Sequence, residues 1–116
     1  DRLMTWLGAE VVEYPVKARC CGGSLMGTME DIGLRLNYLL LKEAKSRKAN
    51  VLATVCPLCQ YNLEAYQGPM RRAFGENVDL PVVYFTQLMG LAFGLPPRAL
   101  GLQRNFVTAA PLPVMA

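Results

Sequence analysis

Three short runs rich in β-branched and aromatic residues, at 11–14 (VVEY), 51–55 (VLATV) and 81–85 (PVVYF), alternate with stretches whose apolar residues return at helical spacing. This alternation constrains the fold more than any single residue does. Two neighbouring parallel strands need a long crossover between them, and a helix supplies it most economically by packing back on the sheet. The expectation is an α/β domain with a small parallel sheet of about three strands and crossover helices, Rossmann-like in topology. With 116 residues, 53% of them apolar and 18% charged, the chain has material for one core and is too short for several. Residues 1–116 are therefore read as a single domain, with a proline-containing tail at 103–116.

Local chemistry sets the expected boundaries. Residues 1–7 read as the last two turns of a helix closed by Gly8, so the chain is expected to be an N-terminally truncated piece of something longer. Pro15 stops the first strand, and a loop follows over 16–26. Thr28 with Asp31 has capping-box spacing, and behind it Ile32, Leu36, Leu39 and Leu40 mark a helix running down to Lys45, Arg47 and Lys48. A helix at 58–66 begins just after Pro57 and has to break before Pro69, with a shorter helical turn at 70–74. Thr86 is expected to cap a helix through Leu88, Leu91 and Phe93 to Gly94. Trp6 reads as a packing anchor, and Tyr14, Tyr61, Tyr66, Met26 and Met89 as core or site lining.

Composition removes several function classes. Twelve basic and nine acidic residues leave a net charge of +3, scattered along the chain, which is too weak a field for nucleic-acid binding. The chain contains no histidine, so imidazole bases, triads that need one and histidine metal sites are excluded. No apolar run reaches the roughly 18 residues of a transmembrane segment, and a soluble, cytoplasmic protein is expected.

Chemistry therefore falls to the four cysteines. Cys20 and Cys21 lie shortly after the first expected strand, just ahead of Gly22 and Gly23; Cys56 and Cys59 follow directly on the second. Ligand sites in such sheets form at the carboxyl ends of the strands, so one crossover would carry both pairs to a single edge. An all-sulfur donor set selects zinc or an iron–sulfur cluster. Helix N-termini, with Lys17 and Arg19 nearby, would favour the thiolate forms. Gly22 and Gly23 would let the backbone approach a bulky group and adopt positive φ. Lys17 and Arg19 also offer charge for orienting an anionic substrate, although a solvated basic loop is the simpler reading. Other readings stay open on the residues alone: inert buried cysteines, a thioredoxin-like dithiol at Cys56 and Cys59, structural disulfides, or a zinc module at a subunit interface. A vicinal pair opposite a C-x-x-C pair suits a larger, multi-metal object better than one tetrahedral ion.

The run from Tyr14 to Gly23 (YPVKARCCGG), followed by Cys56-Pro57-Leu58-Cys59, resembles the later part of a CCG, or cysteine-rich, domain. Among members of that family it is most similar to the B subunit of heterodisulfide reductase and its homologues in sulfur oxidisers, a likeness extended by Val83-Tyr84-Phe85-Thr86-Gln87-Leu88-Met89-Gly90. The resemblance implies that Cys20, Cys21, Cys56 and Cys59 are four of five ligands to a noncubane [4Fe–4S] cluster. It further implies an oxidoreductase that transfers electrons and acts on a disulfide, thiol or sulfane-sulfur substrate together with other subunits. This chain would be most of the second of two such domains, inactive when isolated, and without the upstream ligand the states open to it would be zinc, a simpler cluster, a disulfide or bare thiols. Related cysteine-rich domains of the succinate:quinone reductase and glycolate oxidase types are the alternative.

Overall fold

A computed structural model describes residues 1–107 of the chain. Its sheet, among those residues, has two parallel strands, β1 (Leu52–Thr54) and β2 (Val82–Tyr84), with Leu52 opposite Val82, Ala53 opposite Val83 and Thr54 opposite Tyr84. A short helix α1 (Arg2–Trp6) opens the chain, and the long α2 (Glu30–Ser46) precedes β1. Helices α3 (Pro57–Ala65) and α4 (Gln67–Phe74) make the crossover to β2, and α5 (Phe85–Ala92) follows it. The α/β class and the parallel pairing are as expected from the order of elements.

The core forms where α2, α3 and α4 close on the sheet. Leu34, Leu40, Leu41 and Ala44 of α2 meet Leu52, Leu63, Met70, Val78, Leu80 and Val82. The buried face of α2 runs Gly33, Leu34, Asn37, Leu40, Leu41, Ala44, which is one helical stripe. Of the residues that suggested the helix, Ile32 and Leu39 lie on its exposed side, so the apolar spacing located the helix but not the face that packs. Fully burying an apolar side chain contributes about 1.5–3 kcal/mol, which makes Leu41, Met70, Val78, Val82 and Val83 the chief anchors of the layer.

A two-stranded sheet leaves backbone groups without a ladder partner, and side-chain amides supply what a further strand would have supplied. Gln67 Nε2 donates to the Leu80 carbonyl at 2.7 Å, while its Oε1 accepts from Leu80 N–H at 3.0 Å. Val82 O accepts from Gln60 Nε2 at 2.7 Å and from Asn105 Nδ2 at 2.8 Å. Tyr84 N–H donates to Gln87 Oε1 at 2.8 Å, and Gln87 Nε2 reaches Leu100 O at 3.0 Å. Alternate residues 80, 82 and 84 are thus paired along one side of β2 by amides from α3, α4, α5 and the C-terminal segment.

Four expectations are corrected. Residues 11–14 are not a strand: Val11 and Val12 are half-buried, and Glu13 O accepts from Arg47 Nη1 at 3.3 Å in place of a ladder partner. β-branched character suits any half-buried extended segment, so it does not guarantee pairing. Thr28 and Asp31 form no capping box, because α2 starts at Glu30 with Met29 as N-cap, which leaves Asp31 one position short of the role. Thr86 lies inside α5, whose N-cap is Tyr84. Trp6 is 77% exposed and anchors nothing among the described residues. The tail expected at 103–116 begins inside a 3-10 turn, Leu102–Arg104, and 108–116 lie outside the described residues.

Candidate metal centre

The C-x-x-C pair owes its placement to a proline. Pro57 occupies the first position of α3, where a missing N–H costs nothing, so the helix begins as β1 ends and Cys56 becomes its N-cap. Cys56 is exposed, and its thiol pKa is held below the ordinary value by the backbone N–H of Cys59, then that of Leu58, then the Cys59 thiol. Cys59, one turn on, faces inward against the core. Burial, followed by the neighbouring Cys21 and Cys56 thiols, pushes its pKa up to about 12. One helix end thus presents an anion-favouring thiol and a proton-retaining thiol side by side.

The loop carrying the other pair comes back to this helix end. Cys21 is 2% exposed, belongs to the core cluster, and its thiol lies beside that of Cys59. Cys20 points elsewhere. It is exposed, its Sγ accepts from Gly22 N–H at 3.4 Å, and it lines an apolar groove of about 410 Å³ with Val16, Arg19, Leu36, Leu39 and Leu40. The fold therefore gathers Cys21, Cys56 and Cys59, while Cys20 is joined to them through the chain rather than by side-chain contact. All four cysteines are free thiols. Among the described residues, no three cysteine, aspartate or glutamate side chains gather into a single-ion site. The donors fit a sulfur-ligated centre in chemistry, being soft and unoxidised, and the Cys59 thiol has those of Cys21 and Cys56 as neighbours.

Gly22 and Gly23 serve the packing of this loop. Gly22 has φ +76°, and a Cβ there would lie 2.9 Å from Gly33 Cα of α2. Gly23 is not left-handed, and its Cβ would lie 2.9 Å from Leu58 Cγ of α3. The two glycines let the loop wedge between two helices, so their absent side chains are explained by helix contact. Lys17 is likewise occupied, its Nζ lying 2.7 Å from Asp1 Oδ2 and 2.6 Å from Glu13 Oε1. Arg19 borders the groove beside Cys20.

Two residues that the motif reading passed over complete the surroundings. Asn62 donates through Nδ2 to the Cys21 carbonyl at 3.0 Å, and Asn37 donates to the Asn62 carbonyl at 2.7 Å. Asn62 stands three residues after Cys59, and that C-x-x-C-x-x-N spacing on one helix face is the sequence signal for it.

Parallel strands, helices on their faces and free thiols from two distant segments at one strand end define a cysteine-rich α/β domain. Residues 1–64 match the family model of the cysteine-rich domain called CCG, and the chain belongs to that family. It is 33% identical, over 97% of its own length and 39% of the relative's, to the membrane anchor subunit of the 8-methylmenaquinol:fumarate reductase of Wolinella succinogenes. It is 32% identical, over 92% of its length and 36% of the relative's, to the B subunit of the ferredoxin/F(420)H(2)-dependent CoB-CoM heterodisulfide reductase of Methanosarcina acetivorans. The B subunit of the ferredoxin:CoB-CoM heterodisulfide reductase of Methanosarcina mazei is 30% identical over the same shares. The chain spans between 36% and 39% of the length of these curated relatives. No helix among the described residues is long and apolar enough to cross a membrane.

Proposed function

We propose that this domain holds a redox centre of iron and sulfide through Cys20, Cys21, Cys56 and Cys59, and that it works within an oxidoreductase complex of the heterodisulfide reductase type. The observation that carries the reading is the meeting of the Cys21 thiol with that of Cys59, which also neighbours Cys56, across more than thirty residues of chain. Family membership and the two heterodisulfide reductase relatives support it. The centre proposed is the noncubane [4Fe–4S] cluster, which when bound supplies one-electron steps and an iron able to take a substrate sulfur. Cys20 would join the other three cysteines by turning its side chain from Gly22 N–H, making four of the five ligands that the family resemblance implies.

The chain's own residues account for the rest. Cys56 needs the least deprotonation to become a ligand, since the α3 N-terminus already favours its thiolate. Cys59 gives up its proton on binding, so uptake of the centre releases acid and strengthens as pH rises. The core around Cys21 excludes water from that side, and the exposed Cys56 leaves the other side open, where a sulfur compound would arrive.

A second reading is favoured by the fumarate reductase anchor subunit, which matches nearly the whole chain. There the domain would pass electrons without acting on a sulfur substrate. Anaerobic reconstitution with iron and sulfide tests the shared part: near-equal iron and sulfide with an EPR-active centre is expected, lost in Cys21→Ser and Cys56→Ser. Zinc alone, or unchanged metal content in both variants, overturns it. A shift of the EPR signal on adding a thiol or disulfide to the reconstituted chain favours the first reading; an unmoved signal favours the second.

A further inference from the structure

Helix α3 holds Cys21 at two atoms. The Cys59 thiol lies beside the Cys21 thiol, and one turn on, Asn62 Nδ2 donates to the Cys21 carbonyl at 3.0 Å. A spacing of three stacks both side chains on the same helix face. Asn62 is 1% exposed, and Asn37, which donates to the Asn62 carbonyl from α2, is fully buried. Each amide leaves its own Oδ1 without a partner among the described residues. An apolar side chain of similar volume would fill either place without stranding an oxygen, so the amides are retained for the bonds that their Nδ2 atoms make.

The two bonds differ in what they join. Asn37 ties one helix to another, and its loss would loosen packing in general. Asn62 ties a helix to the loop that carries the two adjacent cysteines, and it does so at the backbone of Cys21 itself. The loop is otherwise held there by packing, with Cys21 in the core and Gly22 and Gly23 wedged against α2 and α3, and the Asn62 bond is the side-chain hydrogen bond to the Cys21 backbone among the described residues. Fixing the Cys21 carbonyl fixes the plane of the peptide that follows and with it the direction in which Cys21 presents its sulfur.

We infer that Asn62 is a positioning residue for the thiol group, setting the Cys21 backbone so that its sulfur meets those of α3. The consequence for a bound centre rests on the function proposed above, whereas the positioning is a property of the metal-free chain and is read there. The experiment compares Asn62→Asp with Asn37→Asp in the full chain, anaerobic and metal-free. Both exchange one buried amide for an acid of the same shape, and only the first cuts the link to Cys21. The readout is the alkylation rate of each cysteine by peptide mass spectrometry, beside the melting temperature.

The expected result is a rise of about tenfold in Cys21 alkylation in Asn62→Asp, the scale set by losing one net hydrogen bond. Asn37→Asp should lower the melting temperature comparably with little change at Cys21. Equal rises in both variants, or none in either, overturn the inference and leave Asn62 a packing residue. Should the aspartate variants not fold, Asn62→Ser and Asn37→Ser replace them; failure of both Asn62 variants where the Asn37 variants fold also overturns it. Iron uptake by the wild-type chain tests the proposed function separately, so the two ideas fail by different measurements.

Discussion

Cys56 and Cys59 stand one helical turn apart at the start of α3, and their thiols are driven in opposite directions, the first below its ordinary pKa and the second up to about 12. The cause is position on the helix. Cys56 faces solvent at the end where backbone N–H groups are unpaired, whereas Cys59 is turned toward the core beside two other thiols.

This asymmetry predicts an order of reaction. In the metal-free chain at neutral pH, Cys56 should be alkylated faster than Cys59, by at least about tenfold on the thiolate fractions alone. Peptide mass spectrometry after a timed iodoacetamide pulse measures both, and equal rates would show that the helix end does not discriminate between them.

The same shifts predict how stability changes in alkali. Above the ordinary thiol pKa of about 8.5 the unfolded chain loses the Cys59 proton while the folded chain keeps it up to about 12, so folding binds a proton and stability falls as pH rises through this window. Cys56 has the opposite sign, its contribution being lost as pH falls through its lowered folded value, and its full exposure keeps that contribution small. Urea midpoints should decline between about pH 9 and pH 11 in the wild type and decline less in Cys59→Ala.

Gly22 and Gly23 make a graded pair. Gly22→Ala combines a left-handed φ with a clash against the α2 backbone and should cost about 2–4 kcal/mol. Gly23→Ala meets only the Leu58 side chain, half-exposed and able to move, and should cost about 1–2 kcal/mol. Adding Leu58→Ala should recover much of the second loss and none of the first, as read by urea unfolding of the double variants.

Gln67 stands in for a strand at Leu80. Gln67→Leu keeps the volume but leaves the Leu80 N–H and C=O buried without partners, and a loss of about 2–4 kcal/mol is expected. Hydrogen exchange at the Leu80 amide should accelerate well beyond the global change, and protection retained there would mean that another group had taken over the bond.

Gly90 and Leu100 predict how the C-terminal segment is held. A Cβ on Gly90 would overlap the Leu100 side chain, so Gly90→Ala should loosen residues 95–107 and speed their proteolysis, with Leu100→Ala restoring resistance in the double variant. Unchanged digestion of Gly90→Ala would show that the segment accommodates the methyl by a small shift.

Much of the site was legible because its signals are local. Pro57 after a β-branched run marks where a strand hands over to a helix, and that alone puts Cys56 at the helix end and Cys59 one turn inside. The approach of the Cys21 loop to this point was expected from a strand at 11–14 that does not form; the burial of Cys21 against the core brings it there instead. The fate of Cys20 was not legible, since adjacent side chains diverge and only the surrounding Leu36, Leu39 and Leu40 decide which way each turns. Nor was the role of Asn62, whose partner lies 41 positions away in sequence.

By itself the sequence determined which segments are helices, that the strands run parallel, and which end of the strands carries the sulfur, because propensity, proline placement and the length of a crossover act over a few residues at a time. The tertiary structure decided that 11–14 stays outside the sheet, that α2 buries the stripe through Asn37 and Leu41 rather than Ile32 and Leu39, and that glutamine and asparagine amides pair one side of β2. Those outcomes depend on where a buried N–H, a carbonyl or a methyl group finds its partner, and apart from Gln87 at Tyr84 N–H these partners come from more distant parts of the chain.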